Sequence, residues 1–191
     1  MNKTPLNQWH HEHNGRMVDF AGWEMPVQYS SIVEEHNAVR NGAGLFDISH
    51  MGRLQFFGET AVDFLNSVVT NDTGRLKPGD VRYSLVCNHE AGILDDVLVY
   101  RLEDRWELVV NASNRLKICE WLEHCAGFAG IRFVDRTLST GMIAVQGPNA
   151  IKTLQKLTSV NLSAIPYYAY TVGALAGIEG VIISNTGYTG A

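Results

Sequence analysis

The feature that most constrains this chain is a run of three closely spaced strand signals in its middle. β-Branched and aromatic residues predict strands over Val81–Cys87, Ile93–Leu102 and Trp106–Val110. The turn signals between them, Asn88–Gly92 and Glu103-Asp104, are too short to contain a crossover helix. Strands joined by such short turns pair antiparallel, so the sequence predicts an antiparallel meander.

Helix and strand signals outside the meander follow no regular alternation. Proline, capping-box and helical-spacing signals predict helices over 4–14, from Ser31 to Gly42, from Thr60 to Val68, and over 113–126 and 148–157. Strands are predicted over 45–57 with a break near 49–52, and over 131–135, 141–146, 168–174 and 178–185. The segment Asp19–Pro26 is predicted to be irregular. This order favours the α+β class, with mixed, largely antiparallel sheets and flanking helices.

Composition and charge exclude several classes of protein. Of the 191 residues 46% are hydrophobic and 18% charged, a balance typical of a folded globular protein rather than a disordered one. The net charge of -5 repels phosphate backbones, so no nucleic-acid partner is expected. No apolar run reaches the roughly 18 residues that span a bilayer, and the N-terminus has no signal-peptide pattern. We therefore expect a cytoplasmic protein with no membrane partner.

The cysteine and histidine residues show no pattern of disulfide bonds or of metal ligands. The chain has three cysteines, Cys87, Cys119 and Cys125, and no two of them form a C-x-x-C motif. An odd number without this motif predicts that they pack as free thiols in a reducing compartment. His10 and His13 share a helical face but have no evident third ligand. The pattern favours a solvated helix face over a metal site, so no metal is predicted.

Two adjacent carboxylates, Asp95 and Asp96, interrupt the apolar strand that begins at Ile93. Because side chains alternate along a strand, they face opposite sides, and Asp96 shares its side with Leu98 and Tyr100. A carboxylate among apolar groups needs a compensating partner or a function. Tyr83, on the neighbouring strand, could face the same side, and aromatic walls around a carboxylate suit a flat, nitrogen-rich heterocycle. A turn-end aspartate bonded to backbone N–H groups, with the tyrosines packed in the core, is the alternative interpretation.

Seven short segments carry a more specific signal together than any of them carries alone. They are Met17–Tyr29, Glu35–Arg40, Gly44–Gly52, Thr70–Asp72, Gly92–Asp96, Gln146–Pro148 and Thr186–Gly190. In this order, along essentially the whole chain, they closely resemble the T-protein family of the glycine cleavage system, the aminomethyltransferases.

The resemblance implies a reaction and a site. T-proteins take the aminomethyl group carried on the lipoyl arm of the H-protein, release ammonia and pass the one-carbon unit to tetrahydrofolate. The partners implied are therefore the lipoylated H-protein and tetrahydrofolate. The family's essential aspartate matches Asp96, the expected catalytic residue. The positions that match the family's folate contacts are Tyr83, Tyr100, Asn111, Tyr188 and Met51.

Two departures from the family pattern concern the end of the chain. Ala191 stands where the family usually has Glu, and Asn185 stands where it often has Arg. The expected organisation is a partial folate-binding region, with one lobe over 1–50 and 137–191, a second over 51–136, and no C-terminal lobe. The resemblance implies that further folate-binding residues lie in that lobe. The pocket is therefore expected to be only partly walled, and the isolated chain inactive.

Two other functions stay open within the same superfamily. A folate-dependent demethylase would share the fold and the pocket and differ in its donor. A non-enzymatic folate-binding relative that supports iron–sulphur proteins carries a Cys in the motif that here contains Gly187 and Tyr188. This chain has no Cys near that position, and the unbroken match through Asp95-Asp96 favours the aminomethyltransferase.

Overall fold

A computed structural model describes residues 1–187, except for the side chains of residues 128 and 129. Within this range the chain forms eleven strands and five α-helices. The helices are α1 (Asn7–Glu12), α2 (Ile32–Asn41), α3 (Ala61–Val68), α4 (Arg115–Ala129) and α5 (Ala150–Leu154). The strands are β1 (Met17–Phe20), β2 (Trp23–Pro26), β3 (Gly44–Asp47), β4 (Gly52–Phe56), β5 (Val81–Cys87), β6 (Ile93–Arg101), β7 (Trp106–Val110), β8 (Phe133–Asp135), β9 (Ile143–Gln146), β10 (Ala169–Leu175) and β11 (Ile178–Asn185).

The chain divides into two units. The middle unit is continuous and spans Met51–Thr140, whereas the outer unit combines Met1–His50 with the segment that begins at Gly141. The middle unit therefore lies as an insertion in the sequence of the outer one.

A five-stranded antiparallel sheet forms the middle unit. Its strand order is β5-β6-β7-β4-β8, so the predicted meander is confirmed as three of the five strands. The other two strands come from distant parts of the chain, since β4 precedes the meander and β8 follows α4. β4 pairs with β7 on one side and with β8 on the other.

The core of the middle unit lies between one face of this sheet and two helices. The amphipathic helix α3 contributes Phe64 and Leu65, and α4 contributes Ile118 and Leu122. These side chains pack on the alternate strand residues that face them, which are Leu54, Phe56, Val86, Val97, Val99, Trp106, Leu108 and Val110. Burial of this apolar area, at about 25 cal/mol per Å², is the main stabilising term of the unit. Both α-helices of the unit lie on this face of the sheet.

Three two-stranded antiparallel sheets form the outer unit: β1 with β2, β3 with β9, and β10 with β11. The prediction of an irregular segment over Asp19–Pro26 is wrong, because it forms most of the first hairpin. Ala21 and Gly22 both have positive φ, at 51° and 79°, and the Asp19 carboxylate accepts the Gly22 N–H at 2.8 Å. Two left-handed residues give the tight turn that matches the twist of a hairpin.

Helix boundaries differ from the sequence predictions by a few residues. The helix predicted over 4–14 is limited to α1, and that predicted over 148–157 is α5 followed by a 3₁₀ turn at Gln155–Leu157. Helix α4 continues past 126 and ends where Gly130 adopts φ 67°. With helices beside antiparallel sheets, the predicted α+β class is confirmed.

His10 contradicts the prediction of a solvated helix face. It is 2% exposed, with its Nδ1 at 2.6 Å from the Tyr29 hydroxyl and its Nε2 at 2.9 Å from Oδ2 of Asp47. Burial raises the pKa of Asp47, but hydrogen bonds from Ser49 and His10 outweigh it, so that the pKa lies below its ordinary value. His10 is thus a buried, hydrogen-bonded residue of the outer unit.

Candidate functional site

The face of the five-stranded sheet opposite α3 and α4 carries three of the predicted site residues. Tyr83 lies opposite Leu98 in the register of β5 and β6. Paired residues share a face, and so do alternate residues along a strand. Tyr83, Asp96 and Tyr100 therefore point to the same side of the sheet, as the alternation predicts.

Two more predicted residues lie at the adjoining ends of β4 and β7. Gly52 pairs with Val110, so Met51 and Asn111 are the next residues along these two strands. Leu98 pairs with Val109, and the same register brings Asn111 level with Asp96 on β6. The structure thus brings Met51, Asn111 and Asp96 into one row across the sheet.

Asp95 and Asp96 differ in burial, and the exposed residue is Asp96, which was expected to lie among apolar groups. Asp95, on the helix-covered face, is 3% exposed, whereas Asp96 is exposed. The expectation that Asp96 is held among apolar groups is therefore wrong, because its face of the sheet is open at this position. An exposed carboxylate keeps access to a ligand, while a buried one must be compensated within the protein.

Asn111 connects the two carboxylates. Its Nδ2 lies 2.9 Å from Oδ1 of Asp95, 2.8 Å from Oδ1 of Asp96 and 3.1 Å from the Asp96 main-chain oxygen. Its backbone N–H donates to Oδ2 of Asp95 at 2.9 Å. The position of Asn111 at the end of β7, just before α4 begins, makes these contacts possible. The predicted aspartate and the predicted amide are hence directly bonded.

The aromatic and apolar residues differ in exposure. Tyr83 is 44% exposed and Tyr100 is 4% exposed, so the first can contact a ligand across its ring and the second is a buried part of the wall. Met51 is buried, and its carbonyl accepts Nη1 of Arg53 at 2.6 Å. The Arg53 guanidinium, itself buried, thereby fixes the entry to β4.

The remaining predicted residue, Tyr188, lies outside the described residues. Asn185, at the end of β11, donates its Nδ2 to the Ile165 carbonyl at 2.9 Å. At this position the amide bonds within the outer unit.

Two polar residues on the same face were not found by sequence reasoning. Glu107 lies directly opposite Tyr100 and is buried, and its Oε2 accepts Nε2 of Gln55 at 2.7 Å. The signal was a single charge within the apolar strand Trp106–Val110. It becomes informative only when the register places it beside Tyr100.

Neither a metal site nor a membrane-spanning helix is found in residues 1–187. In this range no three or more His, Cys, Asp or Glu side chains are grouped so that they could hold a metal ion. No helix in the same range combines the length and the apolar character needed to cross a bilayer.

A known protein family matches nearly the whole chain. A family model described as the GCVT N-terminal domain matches residues 6–191. Among curated relatives, the aminomethyltransferase of Halothermothrix orenii is 47% identical over 191 residues, which are 100% of this chain and 53% of the relative. The aminomethyltransferase of Desulforamulus reducens is 48% identical and is covered to 52%. The chain thus spans about half the length of the curated relatives it matches.

Solved structures give the same picture. The glycine cleavage system aminomethyltransferase T from Bartonella henselae superposes with a TM-score of 0.87 at 34% identity, over 99% of this chain and 51% of that one. The heterotetrameric sarcosine oxidase from Corynebacterium sp. U-96, in complex with pyrrole 2-carboxylate, gives a TM-score of 0.57 at 16% identity. The second likeness is one of fold.

Proposed function

The chain belongs to the GCVT N-terminal domain family, and on that premise we propose that it is the folate-binding part of an aminomethyltransferase of the glycine cleavage system. In this proposal the aminomethyl group arrives on the lipoyl arm of an H-protein, and tetrahydrofolate accepts the one-carbon unit with release of ammonia. The proposal includes a cytoplasmic location. The resemblance to the T-protein family, which the sequence motifs carry, is confirmed by the family match.

The observation that carries the proposal is the juxtaposition of an exposed carboxylate, an amide and an exposed aromatic ring on one face of the sheet. Asp96 accepts from Asn111, and Tyr83 presents its ring on the same side of the sheet. A ring that bears several N–H groups can stack on an aromatic side chain while its N–H groups donate to a carboxylate. The pterin of tetrahydrofolate has this chemistry.

A carboxylate beside the folate nitrogens can assist the proposed reaction. The donor's C–N bond breaks to release ammonia and its C–S bond breaks to release a thiol. Two new C–N bonds join the carbon to the folate, and the two folate N–H protons go to the ammonia and the thiol. We assign to Asp96 the roles of orienting the attacking nitrogen and stabilising the cationic carbon that forms as ammonia leaves. Holding both reactants on one protein also removes much of the entropic cost of their meeting.

The first experiment measures tetrahydrofolate binding by isothermal titration calorimetry. We expect the 191-residue chain to bind, but more weakly than a longer version that continues past Ala191, because the pocket is expected to be only partly walled. Asp96→Asn should weaken binding by about tenfold or more, since it replaces a charged acceptor with an amide. Asp104→Asn, at the exposed turn after β6, is the control and should bind as the parent chain does. No binding by either length of chain would refute the folate assignment, and tight binding by the short chain would refute the incomplete pocket.

The second experiment separates the donors. The longer version is supplied with aminomethylated H-protein, or with sulphonium and N-methyl donors, and ammonia release and demethylation are followed. Ammonia release that depends on Asp96 supports the aminomethyltransferase. Demethylation alone would assign the chain to the folate-dependent demethylases, and folate binding without either reaction would favour a non-enzymatic relative.

A further inference from the structure

Asp95 is a buried carboxylate that the proposed reaction does not use. Its Oδ2 accepts the backbone N–H of Asn111 at 2.9 Å, and its Oδ1 accepts Nδ2 of Asn111 at 2.9 Å and Nδ2 of Asn114 at 2.5 Å. Three N–H donors compensate the burial of its charge. Two of them come from Asn111, the residue that also bonds to Asp96.

The contacts of the Asn111 amide fix its orientation. Its Nδ2 is within hydrogen-bond distance of one carboxylate oxygen from each aspartate and of the Asp96 carbonyl, and all three are acceptors. An amide oxygen in the same place would repel every one of them. The nitrogen, and not the oxygen, must therefore face the aspartates, and one amide nitrogen joins the buried carboxylate of Asp95 to the exposed carboxylate of Asp96 on the other face of the sheet.

We propose that Asp95 is the positioning residue of this site: it sets the orientation of the Asn111 amide and, through that amide, the position of the Asp96 carboxylate. The inference rests on the proposed function for the role of Asp96, and on geometry alone for the link between the three residues. An exposed Asp96 side chain without this hydrogen bond would sample several rotamers. A shared N–H donor selects the rotamer that keeps the hydrogen bond.

The substitution Asp95→Asn breaks this arrangement in either orientation of the new amide. If its NH₂ group faces the side chains, it meets the Nδ2 groups of Asn111 and Asn114, and if it faces the backbone, it meets the Asn111 N–H. Were the Asn111 amide to turn over to accept from it, its oxygen would face the Asp96 carboxylate. The bridge to Asp96 is lost or strained in each case.

Asn114→Ala provides the matched control. Asn114 is the N-cap residue that precedes α4, but its side chain makes no capping bond and donates to Asp95 instead. Its removal takes one donor from Asp95 and leaves the bridge between Asn111 and Asp96 in place. A purely structural role of Asp95 predicts similar results for both variants, whereas a positioning role predicts different ones.

The test uses two readouts on the 191-residue chain. In ¹⁵N–¹H spectra, the side-chain NH₂ resonances of Asn111, assigned by their absence in Asn111→Ser, should move in Asp95→Asn and stay in place in Asn114→Ala. The dissociation constant for tetrahydrofolate should rise about tenfold in Asp95→Asn. In Asn114→Ala it should stay within about twofold of the parent value. Added to Asp96→Asn, the Asp95→Asn change should weaken binding no further, because it acts through Asp96.

The possible failures are distinguishable. Unmoved Asn111 resonances in Asp95→Asn, or an additive loss of affinity in the double variant, would overturn the positioning role. Moved resonances in a chain that binds no tetrahydrofolate at either length would overturn the proposed function instead. If Asp95→Asn does not fold, Asp95→Glu keeps the charge and displaces the carboxylate by one methylene, and it should move the same resonances and weaken binding.

Discussion

At the scale of single residues, Asp135 shows how a partly buried carboxylate couples stability to pH. Its Oδ1 accepts the Thr137 backbone N–H at 2.9 Å, and its Oδ2 accepts Nε of Arg115 at 2.8 Å. Burial raises the pKa of Asp135, but the hydrogen bonds from Thr137 and the guanidinium of Arg115 outweigh it, so that the pKa lies below its ordinary value. The ionised form is therefore the one that stabilises the fold.

We predict that Asp135→Asn destabilises the chain near neutral pH and has a smaller effect in acid. Because the pKa is lower in the folded state, the stabilisation is fully present above the unfolded value of about 3.9 and is lost as the pH falls through the folded value. Urea unfolding should show a loss of about 2 kcal/mol at pH 7, which shrinks towards pH 2. Asp104→Asn, whose ion pair with Arg105 is exposed, should have little effect at either pH. A loss for Asp135→Asn that is constant with pH would contradict the prediction.

At the same scale, the sequence predicts which side a residue faces better than it predicts burial. Strand alternation alone places Asp95 and Asp96 on opposite faces, and the structure has them so. Which face is covered depends on α3 and α4, and their packing is a tertiary property that local spacing does not contain. His10 is a similar case, because its partners Tyr29 and Asp47 lie 19 and 37 residues away.

At the scale of elements, Gly147 joins β9 to α5 at a point of close backbone approach. It has φ 111°, and a Cβ built there would lie 2.5 Å from the Val39 carbonyl oxygen and 2.6 Å from that of Gly42. Val39 lies in the last turn of α2, and Gly42 is the residue that ends this helix. Only glycine allows β9 to turn into α5 against this helix end.

We predict that Gly147→Ala destabilises the outer unit much more than Gly177→Ala. Gly177 lies in the turn between β10 and β11 with φ 80°, but nothing lies within 4 Å of its Cβ position. The Gly177→Ala substitution therefore reports the backbone strain alone, which is about 1–2 kcal/mol. Gly147→Ala adds two overlaps with backbone atoms and should cost about 3 kcal/mol or more. Equal urea midpoints for the two variants would show that the helix end can move away.

The elements that the sequence predicts well are those whose partners are close in the chain. The meander of β5, β6 and β7 needs only short turns, and the sequence predicts both its strands and their antiparallel pairing. The hairpin of β1 and β2 was missed because Ala21, a residue without strong turn preference, adopts a left-handed conformation beside Gly22. The pairing of β4 with β7 and of β3 with β9 joins strands about 50 and 100 residues apart, which no local pattern encodes.

At the scale of the whole molecule, one side chain ties together the two ends of the middle unit. The Arg53 guanidinium donates to the carbonyls of Met51 at 2.6 Å, Thr137 at 2.6 Å and Thr140 at 2.9 Å, and to the Thr140 hydroxyl at 2.7 Å. The unit begins at Met51 and ends at Thr140, so its termini are adjacent and held by a buried cation. An insertion with adjacent ends can fold without the sequence that surrounds it.

We therefore predict that residues 51–140 fold on their own, whereas residues 1–50 do not. The core cluster of the middle unit draws every member from within its own range, from Leu54 to Ile131, and a chain of this size can bury enough apolar surface to be stable. Residues 1–50 contain β3 but not its partner β9, which lies beyond Gly141. The 51–140 fragment should give dispersed amide resonances and a cooperative urea transition, and the 1–50 fragment should give neither. Arg53→Met within the longer fragment should lower its midpoint, because several buried carbonyls lose their donor. A disordered 51–140 fragment would mean that the outer unit is needed for the middle one to fold.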